Sequence, residues 1–135
     1  MTDTLRLEIV SPERLLKDAT VAQIVVPGSD GDFAVLPNHA PMMSTIRPGI
    51  VEVYESEGSE PEHLFLKGGL AQVSPEGLTI LAEEVIEIDG VDAADLTQKI
   101  TDTREDIEDA KDDIERAAFE KELNWMLALK DVIAA

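Results

Sequence analysis

The sequence predicts an α+β protein: an N-terminal antiparallel β-sandwich or barrel over residues 1–88, followed by a helical domain over residues 89–135. Three observations carry this expectation. Between Leu5 and Ile88 the apolar residues come in short runs, and in the first of them Leu5, Leu7 and Ile9 alternate with Arg6 and Glu8, the two-residue period of a half-buried strand. Turn residues separate nearly all of these runs. From Val91 to Ala135 there is no Gly or Pro, helix formers dominate, and the apolar period lengthens to about three and a half residues.

Pro12 ends the first strand, and further strands are expected at Val21 to Val26, Phe33 to Leu36, Ile50 to Val53, Leu64 to Leu66, Leu70 to Val73 and Leu78 to Leu81. Pro27-Gly28-Ser29-Asp30-Gly31 offers fixed and positive φ, Arg47-Pro48-Gly49 fits a type II turn, and Ser74-Pro75-Glu76-Gly77 fits the end of a hairpin. Past Asp89-Gly90, Asp92 reads as a helix N-cap, with Asp95 adding negative charge at the positive end of the dipole. Leu96, Ile100, Thr103, Ile107, Ala110, Ile114 and Ala117 mark a seam that lapses at Lys121 and resumes at Trp125, Ala128 and Val132. The tail is therefore one long helix or a helical hairpin. Its expected hinge is the acid-rich stretch Glu105 to Asp113, where like charges repel at helical spacings.

A chain of 135 residues can bury one real core, and with only five aromatics that core must be aliphatic. The formal charge of −18 repels phosphate backbones and anionic lipid heads, so nucleic acid is excluded as a partner. With no cysteine there is no disulfide, thiolate nucleophile or Cys-based metal site, which suits a reducing compartment. No apolar run reaches the roughly 20 residues of a bilayer span, and Met1-Thr2-Asp3-Thr4 lacks the basic and apolar regions of a signal peptide.

An enzyme needs a constellation of reactive groups. The sequence has no phosphate-binding Gly-Lys-Ser/Thr loop, Gly-x-Gly-x-x-Gly turn, His-Glu-x-x-His or Gly-x-Ser-x-Gly elbow. Lys67-Gly68-Gly69 reads as a strand-end turn and His63, near Glu60 and Glu62, as a solvated strand edge. The paired acids Glu83-Glu84 and Asp112-Asp113 read as solvated pairs, since neighbours on a strand point to opposite faces. His39 lies in the two-proline loop Pro37-Asn38-His39-Ala40-Pro41, where it either anchors a partner or shapes the loop. No metal site is expected.

The stretch from Gly28 to Met43, GSDGDFAVLPNHAPMM, resembles the signature of ATP synthase epsilon subunits, and Ile46-Arg47-Pro48-Gly49 follows it as in that family. Gly68 to Val73 and Leu78 to Glu83 resemble the family's later strands, and the likeness runs from about Leu5 to Val132. It implies a β-sandwich docked on the membrane c-ring and on the gamma subunit, turning with both and catalysing nothing itself. It also implies work as a peripheral subunit at the cytoplasmic face of a bacterial inner membrane. The contact it implies runs through Ser29, Asp30, Gly31 and Asp32, with His39 on a neighbouring loop, against polar ring loops that carry a basic residue. Asp32→Lys is accordingly expected to weaken docking by setting like charges together.

In some members of that family the tail reaches along gamma to the alpha and beta subunits of the catalytic head and inhibits hydrolysis, helped by basic residues facing acidic helices. Residues 92–135 hold thirteen acids against six bases, a net of −7, so here the tail is expected to inhibit weakly or not at all. Other members bind ATP on the hairpin through Ile/Leu-Asp-x-x-Arg-Ala. Asp113-Ile114-Glu115-Arg116-Ala117 matches all but the aliphatic start, where Asp112 stands, and Leu123 and Leu127 replace further arginines. The default for Asp113 and Arg116 is an ordinary helix-surface pair, with no bound cofactor. Two other classes compete with a rotor subunit: a free-standing acidic adaptor gripping a partner with its helices, and a small hydrolase built on His39 and Asp32.

Overall fold

The computed structural model describes residues 4–134; Met1-Thr2-Asp3, read above for a leader, and Ala135 lie outside them. The chain divides into two compact units, the first ending at Glu87 and the second starting at Ile88.

The first unit is one ten-stranded sheet: β1 Leu5–Val10, β2 Leu15–Val21, β3 Gln23–Gly28, β4 Gly31–Val35, β5 Met42–Ile46, β6 Gly49–Tyr54, β7 Glu62–Leu66, β8 Gly69–Ser74, β9 Gly77–Ala82 and β10 Val85–Ile86. Its order is β10-β7-β6-β3-β5-β8-β9-β1-β2, with β4 on the other edge of β3. A single buried cluster draws side chains from β1 through β9, among them Leu7, Ile24, Val51, Leu66 and Ile80, so the sheet folds back over one aliphatic core as a β-sandwich. All pairings are antiparallel except β1 with β9, which run parallel. β2, at one end of that order, and β7, next to the other end, approach each other with no strand pairing between them. Lys17 on β2 donates to Glu62 on β7 at 3.2 Å, across a cleft of about 340 Å³.

Three strands have no counterpart in the expected set: β2, β5 and the two-residue β10. β2 carries Lys17 and Asp18 and buries only Val21, while β5, MMSTI, buries only Ile46; neither has an alternating apolar face to announce it. Arg6 holds β2 from β1 through two hydrogen bonds to Asp18, which keep the Asp18 carboxyl below its usual range. The run Val21 to Val26 is broken at Ala22, where the backbone bends from β2 into β3. Arg47-Pro48-Gly49 is not a type II turn, because Gly49 lacks positive φ. Instead β5 and β6 follow one another along the same edge of β3, and Arg47-Pro48 forms the link between them. Glu83 and Glu84 lie in the bend between β9 and β10 rather than on a strand, and Glu84 pairs with Lys67 at 2.6 Å.

The second unit is a hairpin of α1 Ala93–Glu108 and α2 Asp113–Ala134, preceded by a short 3-10 turn, Ile88–Gly90. Asp92 caps α1, its carboxylate accepting from Ala94 N at 2.9 Å and Asp95 N at 3.1 Å. Leu96, Ile100 and Thr103 are buried as the seam predicts. Beyond the break the seam fails: Ile114 is 85% exposed and Ala117 is exposed, and α2 buries Met126 and Leu129 on a stripe shared with Phe119, Leu123 and Ile133. The four residues 109–112 lie between the helices and reset the helical phase, so a period counted through them points the wrong way.

The restart is set by Asp112, whose carboxylate accepts from Glu115 N at 2.8 Å while its carbonyl accepts from Arg116 N at 3.1 Å. It is a capping residue with Glu three positions on, a signal that the reading of Asp112-Asp113 as a solvated pair misses. Asp112→Ala is expected to cost the helical unit about 1 kcal/mol, measured as faster amide exchange in the first turn of α2. Exchange equal to the parent's would contradict the assignment.

Candidate functional site

The acidic corner sits on the β3–β4 hairpin, where Gly28 faces Gly31 and Ser29-Asp30 form the two-residue connection. Two glycines make the corner possible. Gly31 has φ +132°, a backbone state that side chains resist, and a Cβ on Gly28 would meet the Gly31 carbonyl oxygen at 2.6 Å and the Phe33 ring at 2.9 Å.

The β5 strand and the link after it hold the corner from the side. Ser29 N donates to Thr45 O at 2.9 Å, Thr45 Oγ1 to Ser29 Oγ at 2.7 Å, and Arg47 N to Pro27 O at 3.0 Å. The Arg47 guanidinium then spans the hairpin, Nη1 donating to Gly28 O at 2.7 Å and Nη2 to Asp32 Oδ1 at 2.6 Å. Both partners of that ion pair stay in contact with water, Arg47 at 46% and Asp32 at 61% exposure. Asp30 is exposed at the tip, with no hydrogen bond or ion pair among the described residues.

Ser29, Asp30, Gly31 and Asp32 thus share one corner, and His39 does not. It follows the far end of β4, where Asn38 N donates to Pro75 O at 3.2 Å and the His39 ring lies 2.7 Å from Ala40 O. β4 runs away from the corner and β5 returns to it, and the four residue steps from Met42 to Ile46 alone span about 13 Å. Around His39 the surface is apolar: Leu36, Met42 and Met43 are exposed, Met43 at 62%. Asn38 takes φ 66°, a left-handed state that asparagine tolerates.

The residues missed by sequence reasoning are Arg47 and Thr45. Arg47 is legible as one of only five bases before residue 89 (Arg6, Arg14, Lys17, Arg47, Lys67), but its partner lies fifteen residues away across a strand pairing. Asp113 and Arg116 form an i,i+3 ion pair at 2.6 Å in the first turn of α2. His63 is exposed on β7, 4.0 Å from Glu52 of β6. Among the described residues no group of three or more His, Asp or Glu is arranged to hold a metal, and no helix is long and apolar enough to cross a membrane.

Two family models match the sequence: the beta-sandwich domain of the ATP synthase Delta/Epsilon chain over residues 4–88, and the C-terminal domain of the ATP synthase epsilon chain over residues 92–135. A Rhodospirillum centenum protein described as ATP synthase epsilon chain is 48% identical over 139 residues, covering 100% of this chain and 95% of its own. One from Maricaulis maris with the same description is 51% identical over 116 residues, 86% of each chain. Among solved structures, a chain of the Euglena gracilis mitochondrial ATP synthase, in a structure of OSCP, F1 and c-ring, superposes with TM-score 0.83 at 22% identity over 98% of this chain and 83% of that one. A chain of the Tetrahymena thermophila mitochondrial ATP synthase central stalk and c-ring gives 0.63 at 9% identity over 96% of each. The last two are similar in fold.

Proposed function

The chain belongs to the ATP synthase epsilon-chain family, and from that premise we propose that it is a non-catalytic central-stalk subunit, docked through its β-sandwich on the membrane c-ring and the gamma subunit and turning with both. The observation that carries this reading is the corner Ser29 to Asp32, exposed, acidic and tied by Thr45 and Arg47 into the neighbouring strand. A force applied at a corner so tied passes into the sheet instead of being lost in a loose loop. Coupling requires this, since each charge crossing the membrane yields about 2.3 kcal/mol per 100 mV and reaches the catalytic head only through joints that do not slip.

A second surface supports the contact with gamma. Leu70, Leu81, Val10 and Leu15 stand opposite one another across β8, β9, β1 and β2 on the outward face, with Leu81 and Leu15 exposed. A row of this kind suits a lasting contact with an apolar partner. The protein then works as a peripheral subunit at the cytoplasmic face of a bacterial inner membrane. Affinity capture of the tagged full-length protein from gently solubilised membranes, with partners identified by mass, is expected to recover gamma and the ring. A soluble complex lacking both would replace this reading with the acidic adaptor.

The helices are the regulatory part of the proposal, facing the alpha and beta subunits of the head with the wrong sign for strong inhibition. Truncation after Gly90 is expected to change ATP hydrolysis by the assembled complex less than about twofold, because acidic helices repel a tail of net −7. A severalfold rise would contradict it. ATP on the hairpin is not part of the proposal, since the Arg116 guanidinium is taken by Asp113.

A further inference from the structure

The strand order leaves the sandwich open along one side. β2 pairs only with β1, so its other edge, from Leu15 to Val21, has no strand beside it. Across the opening, β10 covers β7 only at Leu66 and Phe65, and the edge from Glu62 to Leu64 is equally unpaired. Between the two edges runs a cleft in two lobes of about 340 and 380 Å³, joined at Arg14, Leu16 and Val85. Its floor is the margin of the core, because Leu16, Leu64 and Val85 pack on the buried cluster yet stay only partly covered. Five carboxylates line it, Glu13, Glu62, Glu83, Glu84 and Glu87, against two cations, Arg14 and Lys17. Glu13 in one lobe and Glu87 in the other have no side-chain partner among the described residues. Lys17 Nζ meets Glu62 Oε1 at 3.2 Å and so joins β2 to β7 over the opening. One inserted strand needs two strand spacings, about 9.6 Å, a gap that a lysine and a glutamate side chain reach across together.

We propose that this open side is a strand-acceptor groove for an extended segment of another protein, one in which small apolar residues alternate with lysine or arginine. Main-chain hydrogen bonds to β2 and β7 supply the affinity, and every second side chain rests on Leu16, Leu64 and Val85. The excess of carboxylates selects a basic segment over an acidic one. The Lys17 and Glu62 pair closes the groove while it is empty: a lysine on an edge strand keeps stray strands off, and a cation on the incoming segment takes its place at Glu62.

The probe is a hexapeptide alternating valine and lysine, added to the full-length protein at low salt while amide exchange is followed residue by residue. Exchange is expected to slow severalfold at Glu62 to Leu64 and at the β2 amides that β1 leaves free, and the effect to fade at high salt. The double variant Glu13→Lys, Glu87→Lys changes only the exposed rim and is expected to weaken binding about tenfold. The same peptide N-methylated at alternate residues keeps its charge, loses the donors along one edge, and is expected to bind at least about tenfold more weakly. Equal binding by the methylated peptide, or by one alternating valine and glutamate, overturns the inference. Protection along the free edge of β4 in place of β2 and β7 overturns it too, as does unchanged binding by the double variant or no protection at millimolar peptide.

Discussion

Gly77→Ala is expected to be among the most destabilising single-methyl changes in the protein, costing about 3 kcal/mol, at the upper end for overpacking. Gly77 opens β9, directly opposite Arg6 of the parallel neighbour β1. A Cβ there would stand 2.1 Å from the Arg6 carbonyl oxygen and 2.9 Å from its carbonyl carbon. The obstacle is backbone, so no rotamer change relieves it; β1 must move. That strand carries Leu7 and Ile9, both fully buried, and β9 carries Ile80 against Ile9, so displacement opens the centre of the core. The φ of Gly77 is not positive, hence the whole cost is spatial. Urea unfolding should show a lower midpoint with an unchanged slope. Gly90→Ala is the control, since a Cβ at Gly90 meets nothing within 4 Å. A Gly77 variant within about 1 kcal/mol of the parent would mean that the two strands are less closely apposed, or that the clash relaxes cheaply.

Nothing in the sequence announces the crowding at Gly77, and the reason is general. Period and turn chemistry are local, and they suffice for β1, β3, β6, β8 and β9, for the Ser74-Pro75-Glu76-Gly77 hairpin end and for the Asp92 cap. The parallel pairing of β1 with β9 joins residues about seventy positions apart, and no local signal in either strand reveals it. β2 and β5 are silent because each buries a single side chain, leaving composition without a period to read. In the tail, the period is correct for α1 and wrong for α2 because Asp109 to Asp112 interrupt the count; the Asp112 to Glu115 cap is the overlooked local clue.

The candidate site divides the same way. Its members on the β3–β4 hairpin are legible as a turn from their own residues, and as a contact only through the resemblance of Gly28 to Met43 to the family signature. The Arg47 clamp is not, because it exists only where the link after β5 comes beside the hairpin. The resemblance sets His39 on a neighbouring loop, and the length of β4 and β5 keeps that loop apart from the corner.

Asp32→Lys is expected to weaken docking on the ring by roughly tenfold to a hundredfold, given that like charges about 4 Å apart repel by about 1 kcal/mol in water and about 4 kcal/mol at a protein surface. Two repulsions contribute. One is the intermolecular clash expected from the sequence, a lysine facing a basic loop. The other is internal: the new ammonium faces Arg47, which held Asp32 at 2.6 Å, so the guanidinium is driven off and its grip on Gly28 is endangered. The sandwich itself should melt nearly as before, because an ion pair this exposed is worth at most about 1 kcal/mol. Adding Arg47→Asp separates the two causes, for it rebuilds an ion pair of reversed polarity across the hairpin and restores the corner's net charge. If the clamp matters most, the double variant recovers much of the lost affinity and slows amide exchange at the tip again. If Asp32 itself faces the ring, the double variant docks as poorly as Asp32→Lys alone.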